Sequence, residues 1–300
     1  MQLTYSSPAK INLFLQVIGQ KPNGYHLIQS WFQYLDWCDY LSFSLNTQTQ
    51  DIILNINSPN VALRHTLEQN LQDNLILKAA HALKKQVFHL NLPLPGISII
   101  LDKHLPIGAG LGGGSSNAAT TLVALNNLWG LGLSKQDLMA LGATLGADIP
   151  FFIFGHTAFV EGIGEKLSAL PTPNYFYLVI TPDVHIATPI IYQDPRLTRD
   201  TPSLTIDTLK HADPLLLHQL GLRNDLEMIV CKLSLAVHQS LNWLSQFGHA
   251  RVTGSGSSVF LGFKTEVEAK KILNLLPKLL ASTPVSGKIA QAVNKSLLYS

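Results

Sequence analysis

The stretch that most constrains this chain is residues 106–117, Pro-Ile-Gly-Ala-Gly-Leu-Gly-Gly-Gly-Ser-Ser-Asn. An apolar run with strand character, Ile-Ser-Ile-Ile-Leu at 97–101, leads into it, and a helix-forming run, 118–129, leaves it. Glycines let the backbone take positive φ and come close to a ligand. Serines where a helix opens put hydroxyls beside free N–H groups at the positive end of its dipole. Such a turn binds an anion, most often a phosphate. A flexible linker is the plainer explanation, but a linker does not run from a strand straight into an amphipathic helix.

Two familiar phosphate loops fail on context. No lysine closes the glycines, as the Walker pattern requires. Gly108, Gly110 and Gly113 satisfy G-x-G-x-x-G, but a dinucleotide fold needs a strand after the helix and an acidic residue about 20 positions on. Here Leu133 leads into a second helix, Ser134 to Leu145, opened by a Ser134–Asp137 capping box.

Residues 9–17 alternate as a strand, with Ile11, Leu13, Leu15 and Val17 turned to the core. Lys10 and Asn12 share the other side, where a lysine is ordinarily solvated. A turn at 19–24 precedes Tyr25 and His26, followed by strands at 31–45 and 51–57. Asp73 or Asn74 caps a helix at 74–85 whose apolar face is Leu75, Ala79, Ala82 and Leu83. Asp148 stands between a helix end and Pro150, where a turn residue is the simple reading. Further strands are expected at 158–167, with Glu161 and Glu165, and at 174–182. Tyr192 falls in a loop or short helix between prolines. A long amphipathic helix is expected from 224 to 247, then a second glycine-rich loop feeding a strand (251–263). A helix with a Thr-x-x-Glu cap completes the pattern at 265–276. Strand–helix alternation with adjacent strand pairs indicates α+β, not a doubly wound sheet.

Composition narrows the partners. Charged residues are 13% of the chain against roughly 25% in an average soluble protein, and the net charge is +2. No basic block supports a nucleic-acid surface. No signal peptide or apolar run of about 20 residues is present, so a cytoplasmic protein away from the membrane is expected. Cys38 and Cys231 lack metal-type spacing and read as small apolar residues.

Four separated segments, PAKINLFL, PIGAGLGGGSSNAA, LGADIPFF and RVTGSGSSVF, resemble the GHMP kinases. NGYHLIQ and ATPIIYQDP resemble the branch of that family whose acceptor is a cytidine-diphosphate-linked polyol. The resemblance implies transfer of the γ-phosphoryl of ATP to the 2-hydroxyl of 4-diphosphocytidyl-2-C-methyl-D-erythritol, in non-mevalonate isoprenoid synthesis. It implies a two-domain α+β fold with the active site in the cleft. The N-terminal ATP-binding domain (1–157) would be ribosomal-protein-like, and the C-terminal substrate domain (158–300) ferredoxin-like. A monomer or weak homodimer is expected.

By the same resemblance, Asp148 is the catalytic carboxylate and Lys10 its partner. ATP falls to Asn74, Lys103, Pro106, Gly108, Gly110, Leu111, Gly112, Gly113, Gly114, Ser115 and Ser116. Substrate falls to Asn12, Tyr25, His26, Thr188 and Tyr192, with the Tyr25 and Tyr192 rings expected to sandwich a cytosine. Mg²⁺ would ride on ATP, near Ser115 or Ser116, because it favours phosphate and water ligands. The family often carries phenylalanine at Tyr192 and glycine at Ala109. A lysine within salt-bridge reach would keep Asp148 ionised. Two alternatives stay open: a GHMP kinase for another small alcohol, such as mevalonate phosphate or homoserine, and a non-catalytic nucleotide- or RNA-binding protein.

Overall fold

The computed structural model describes residues 2–58, 67, 69, 71–87 and 94–299. Two long antiparallel strands open the chain, β1 (Gln2–Gln20) and β2 (His26–Asn46). Their ladder shifts register between Pro8 and Lys10, Asn12 and Leu15, and Val17 and Gly19. Ile11, Leu13, Leu15 and Val17 are buried, as their alternation predicts. The opposite face is buried as well: Lys10 is 3% exposed and Asn12 1%. A lysine so enclosed needs partners, which the solvated reading did not supply.

β3 (Ile52–Asn57) and β4 (Gly96–Asp102) run parallel, with α1 (Leu75–Gln86) between them in sequence. Asn74 caps α1 by accepting from the Ile76 amide at 2.9 Å. Its buried face is Ile76, Ala79, Ala80 and Leu83, rotated slightly from the expected one. The glycine stretch follows β4, and α2 (Gly113–Leu128) begins inside it. Small residues on α2, among them Ala118, Ala119 and Ala124, let it sink against β1 and α1. α3 (Lys135–Leu145) carries the expected Ser134–Asp137 box. α4 (Ile149–Phe154) is anchored by Phe151, whose ring stacks on Tyr34 at 4.3 Å and whose carbonyl accepts from the Tyr34 hydroxyl at 2.7 Å. Asp148, immediately before α4, is therefore fixed at the margin of the core.

The expected boundary at 157/158 falls just before β5 (Ala158–Glu161), which pairs with β2 and with β6 (Lys166–Ala169). β7 (Phe176–Pro182), α5 (Thr188–Gln193) and α6 (Ile206–Leu209) come next. The helix expected across 224–247 is two helices, α7 (Glu227–Leu233) and α8 (Leu235–Ser245). Ser234 separates them with an extended backbone (φ −138°, ψ 111°), and its hydroxyl accepts from the Val237 amide at 3.3 Å. A serine side chain competing for backbone donors starts a new helix instead of continuing the old one.

β8 (Arg251–Val252), the second glycine-rich loop and β9 (Val259–Phe263) follow, then α9 (Glu266–Leu273) with its Thr265–Glu268 box. β10 (Leu279–Leu280) and β11 (Thr283–Val293) close the sheet. The sequence pattern assigned nothing to 283–293. Yet β11 pairs with β7 over 285–291 and with β2 at 292–293, stitching the halves together. The sheet order is β3-β4-β2-β11-β7-β9-β8, with β1 and β5 paired to β2. Antiparallel pairing dominates, so the architecture is α+β as expected. Among the described residues, no helix is long and apolar enough to cross a membrane.

Candidate active site

A cavity of about 570 Å³ lies between the two halves, within the range of small-molecule sites. One wall is the glycine stretch: Pro106, Gly108, Gly110, Leu111, Gly112, Gly113, Gly114 and Ser115 all line it. Gly110 has φ +77°, and a Cβ there would overlap the Thr253 carbonyl oxygen. The two glycine loops meet backbone to backbone at that point. Gly112, φ +71°, precedes α2, and a Cβ on it would stand 2.8 Å from the Phe152 ring. Ala109 is buried, and its carbonyl accepts from the Ser258 amide at 3.1 Å, so its methyl is accommodated. Ser116 is turned away from the cavity. Its hydroxyl accepts from Ser7 at 2.8 Å, and its amide donates to the Gly112 carbonyl.

Lys10 and Asp148 come together across this wall. The Lys10 Nζ lies 3.4 Å from Asp148 Oδ2, donates to Asn12 Oδ1 at 2.7 Å and sits 4.6 Å over the Phe32 ring. The Lys10 side chain is 4% exposed and that of Asp148 31%. The cation is thus fixed in the floor while the carboxylate meets the cavity. Asn12 is itself held, its Nδ2 donating to Ser30 Oγ at 3.0 Å and its amide to Thr253 Oγ1 at 3.0 Å.

Lys103 lines the cavity from beneath α2 and pairs with Asp39 at 2.6 Å. Burial pushes the Lys103 pKa down, and the Asp39 carboxylate opposes that shift. Asp39 also accepts from the amides of His104 and Leu105, each at 2.7 Å. One buried carboxylate therefore sets both the lysine and the entry to the glycine loop. Sequence reading missed Asp39, although an acid inside the apolar run of β2 is a signal. Asn74 lines the cavity while capping α1.

The other wall comes from scattered segments. Thr188 and Tyr192 of α5 line it with His185, Gly254 and Ser255, and the Thr188 and Ser255 hydroxyls are 2.8 Å apart. Asn224, also missed, ties the second glycine loop down by donating to the carbonyls of Val252 (2.9 Å) and Gly254 (2.7 Å). The expected Tyr25–Tyr192 sandwich is not the arrangement found. Tyr25 is 59% exposed, off the cavity wall, at the end of a tight turn. His26, also off the cavity lining, is the ring that packs on Tyr192, 5.0 Å away at 37°. Burial, then the Asp148 carboxylate, push the Tyr192 hydroxyl pKa well up.

A glycine-rich turn at a helix start, facing a lysine–carboxylate pair, is an arrangement suited to phosphoryl transfer. Residues 74–156 match the family profile for the GHMP kinases N terminal domain, and residues 207–281 that for GHMP kinases C terminal. The chain belongs to the GHMP kinases. A 4-diphosphocytidyl-2-C-methyl-D-erythritol kinase of Hahella chejuensis is 42% identical over 98% of this chain and 94% of its own length. A crystal structure of a 4-(cytidine 5'-diphospho)-2C-methyl-D-erythritol kinase aligns over 97% of this chain and 99% of its own, with TM-score 0.73 and 27% identity. Homoserine kinase from Cytophaga hutchinsonii shares the fold alone, with TM-score 0.68, 16% identity, and coverage of 98% and 96%.

Proposed function

We propose that this chain transfers the γ-phosphoryl group of ATP to the 2-hydroxyl of 4-diphosphocytidyl-2-C-methyl-D-erythritol. The observation that carries the chemistry is the Lys10–Asp148 pair, 3.4 Å apart and facing the glycine loop in one cavity. The acceptor rests on likeness to the Hahella enzyme across nearly the whole chain.

Phosphoryl transfer passes through a loose transition state, so the protein's task is positioning and charge neutralisation. Loop N–H groups and the start of α2 receive the β- and γ-phosphates in place of a Walker lysine. Lys103 adds a cation beneath that helix start: a Cβ on Gly113 would stand 3.4 Å from its Nζ. A carboxylate is a feeble base toward an alcohol until bond formation is advanced. Asp148 therefore orients the hydroxyl and accepts its proton late. Lys10, held by Asn12 and Asp148, lines the cavity beside the glycine loop, where its ammonium would meet charge on a transferring oxygen. Asp148 and Ser115 both line the cavity, and side-chain oxygens of that kind would suit Mg²⁺ arriving on ATP. Bound there, the metal would neutralise charge on the phosphates.

The test is transfer of labelled phosphate from ATP to the cytidylyl alcohol, run beside mevalonate phosphate and homoserine. The cytidylyl alcohol should be the preferred acceptor, as judged by kcat/KM. Preference for either of the others would reassign the substrate.

A further inference from the structure

Arg199 stands behind the cavity lining, yet its guanidinium makes four hydrogen bonds there, one of them to the carbonyl of Tyr192, which lines the cavity. Nε donates to His26 Nε2 at 3.1 Å, and Nη1 to the Leu197 carbonyl at 3.0 Å. Nη2 donates to the carbonyls of Tyr192 at 3.0 Å and Asp194 at 2.9 Å. His26 begins β2 in the first half of the chain, and Tyr192 lies on α5 in the second. One side chain bolts the two segments together, and their rings rest against each other.

The bond to His26 also fixes a proton. A guanidinium stays protonated at any working pH and can only donate, so His26 Nε2 can only accept. The ring is then neutral, with its hydrogen on Nδ1. Burial and the adjacent guanidinium both hold the His26 pKa below its ordinary value, which favours the same state. The planar fork of arginine suits several directional bonds at once, whereas an ammonium does not reproduce that geometry.

We propose that Arg199 is a positioning residue for the nucleobase of the acceptor, holding the His26 ring as a neutral Nδ1–H donor locked against Tyr192. The role rests on the cytidylyl-acceptor reading above. A ring left to rotate and exchange tautomers has to be ordered by each incoming substrate, which weakens binding without touching the chemical step.

The experiment compares Arg199→Met and Arg199→Lys with the wild-type chain, in steady-state kinetics for both substrates and in ¹⁵N-histidine NMR of His26. Arg199→Met should raise the acceptor KM about tenfold or more, the usual cost of a lost charge-assisted hydrogen bond. The ATP KM and kcat should stay within about twofold, since neither reports ground-state acceptor binding. Arg199→Lys should fall between, and it serves alone if the methionine variant does not fold. The wild-type spectrum should show Nε2 unprotonated and Nδ1 protonated, and the methionine variant should lose that single tautomer. An unchanged acceptor KM, equal rises in both KM values, or a wild-type Nε2 that carries the proton would each overturn the proposal. A wild-type enzyme inert toward the cytidylyl alcohol would instead bring down the functional reading and this role with it. The spectrum would still decide separately whether the Arg199–His26 bond exists.

Discussion

The two walls of the cavity are built on opposite plans. The wall proposed for phosphate, here the phosphate wall, is drawn from one glycine-rich stretch at 106–115 and set on the start of a buried helix. The wall proposed for the acceptor is side chains from β2, α5 and the second glycine loop, held by hydrogen bonds and backed by Arg199 behind the lining. A charge as generic as a triphosphate is met by amides that any sequence supplies once glycine permits the turn. A particular base or polyol must be met by particular groups, because only an unpaired donor or acceptor rejects the wrong ligand.

This contrast is sharpened first at the place where the walls meet. Asp148→Asn and Lys10→Ala should each lower kcat by about 10²-fold or more, the ordinary scale of a lost general base and its partner. ATP affinity should hardly change in Asp148→Asn, measured by calorimetry. The next largest effect belongs to the phosphate wall. Gly113→Val places a branched side chain against Lys103 and Leu105, whose atoms already stand 3.4 Å from a Cβ at that position. ATP affinity should fall by about tenfold or more, as one displaced ammonium–phosphate contact would cost. The acceptor KM should hold. Normal ATP binding in that variant would remove the loop from the nucleotide site.

Smaller effects lie across the cavity. Tyr192→Ala should raise the acceptor KM by roughly tenfold, since stacking on an aromatic ring contributes roughly 1–3 kcal/mol per base. The ATP KM should not follow; a rise confined to ATP would exchange the two walls. Tyr25→Ala should do least, within about threefold on either KM, because a side chain 59% exposed and off the wall has little to lose. A change as large as that of Tyr192→Ala would mean that Tyr25 swings onto the base when substrate binds.

The same contrast explains what could be read from the chain. The phosphate wall was legible because glycine, serine and helix signals sit next to one another, and local rules govern local structure. Capping at Ser134, Asn74 and Thr265 was legible for that reason. The helix break at Ser234 obeys the same capping rule, but the apolar periodicity running through it hid the signal. β11 escaped because Pro284 and Gly287 interrupt its apolar residues, although its burial alternates residue by residue, and its partners β2 and β7 are far away in the chain. The acceptor wall was legible only as residue types. Nothing in the order of residues says that His26, and not Tyr25, meets Tyr192, or that Arg199 reaches both. Asp39 is intermediate: its oddity is visible in β2, while its three partners are set by the fold.

The claim that most needs testing is that Lys10 and Asp148 work as one unit between the walls. Its direct measure is kcat of the Lys10→Ala/Asp148→Asn double variant beside the two single variants, at saturating ATP and acceptor. Residues acting together are strongly non-additive, so the double variant should lose little more than the worse single variant. A loss equal to the product of the two single losses would mean that the lysine and the carboxylate serve separate steps, and would contradict this account of the site.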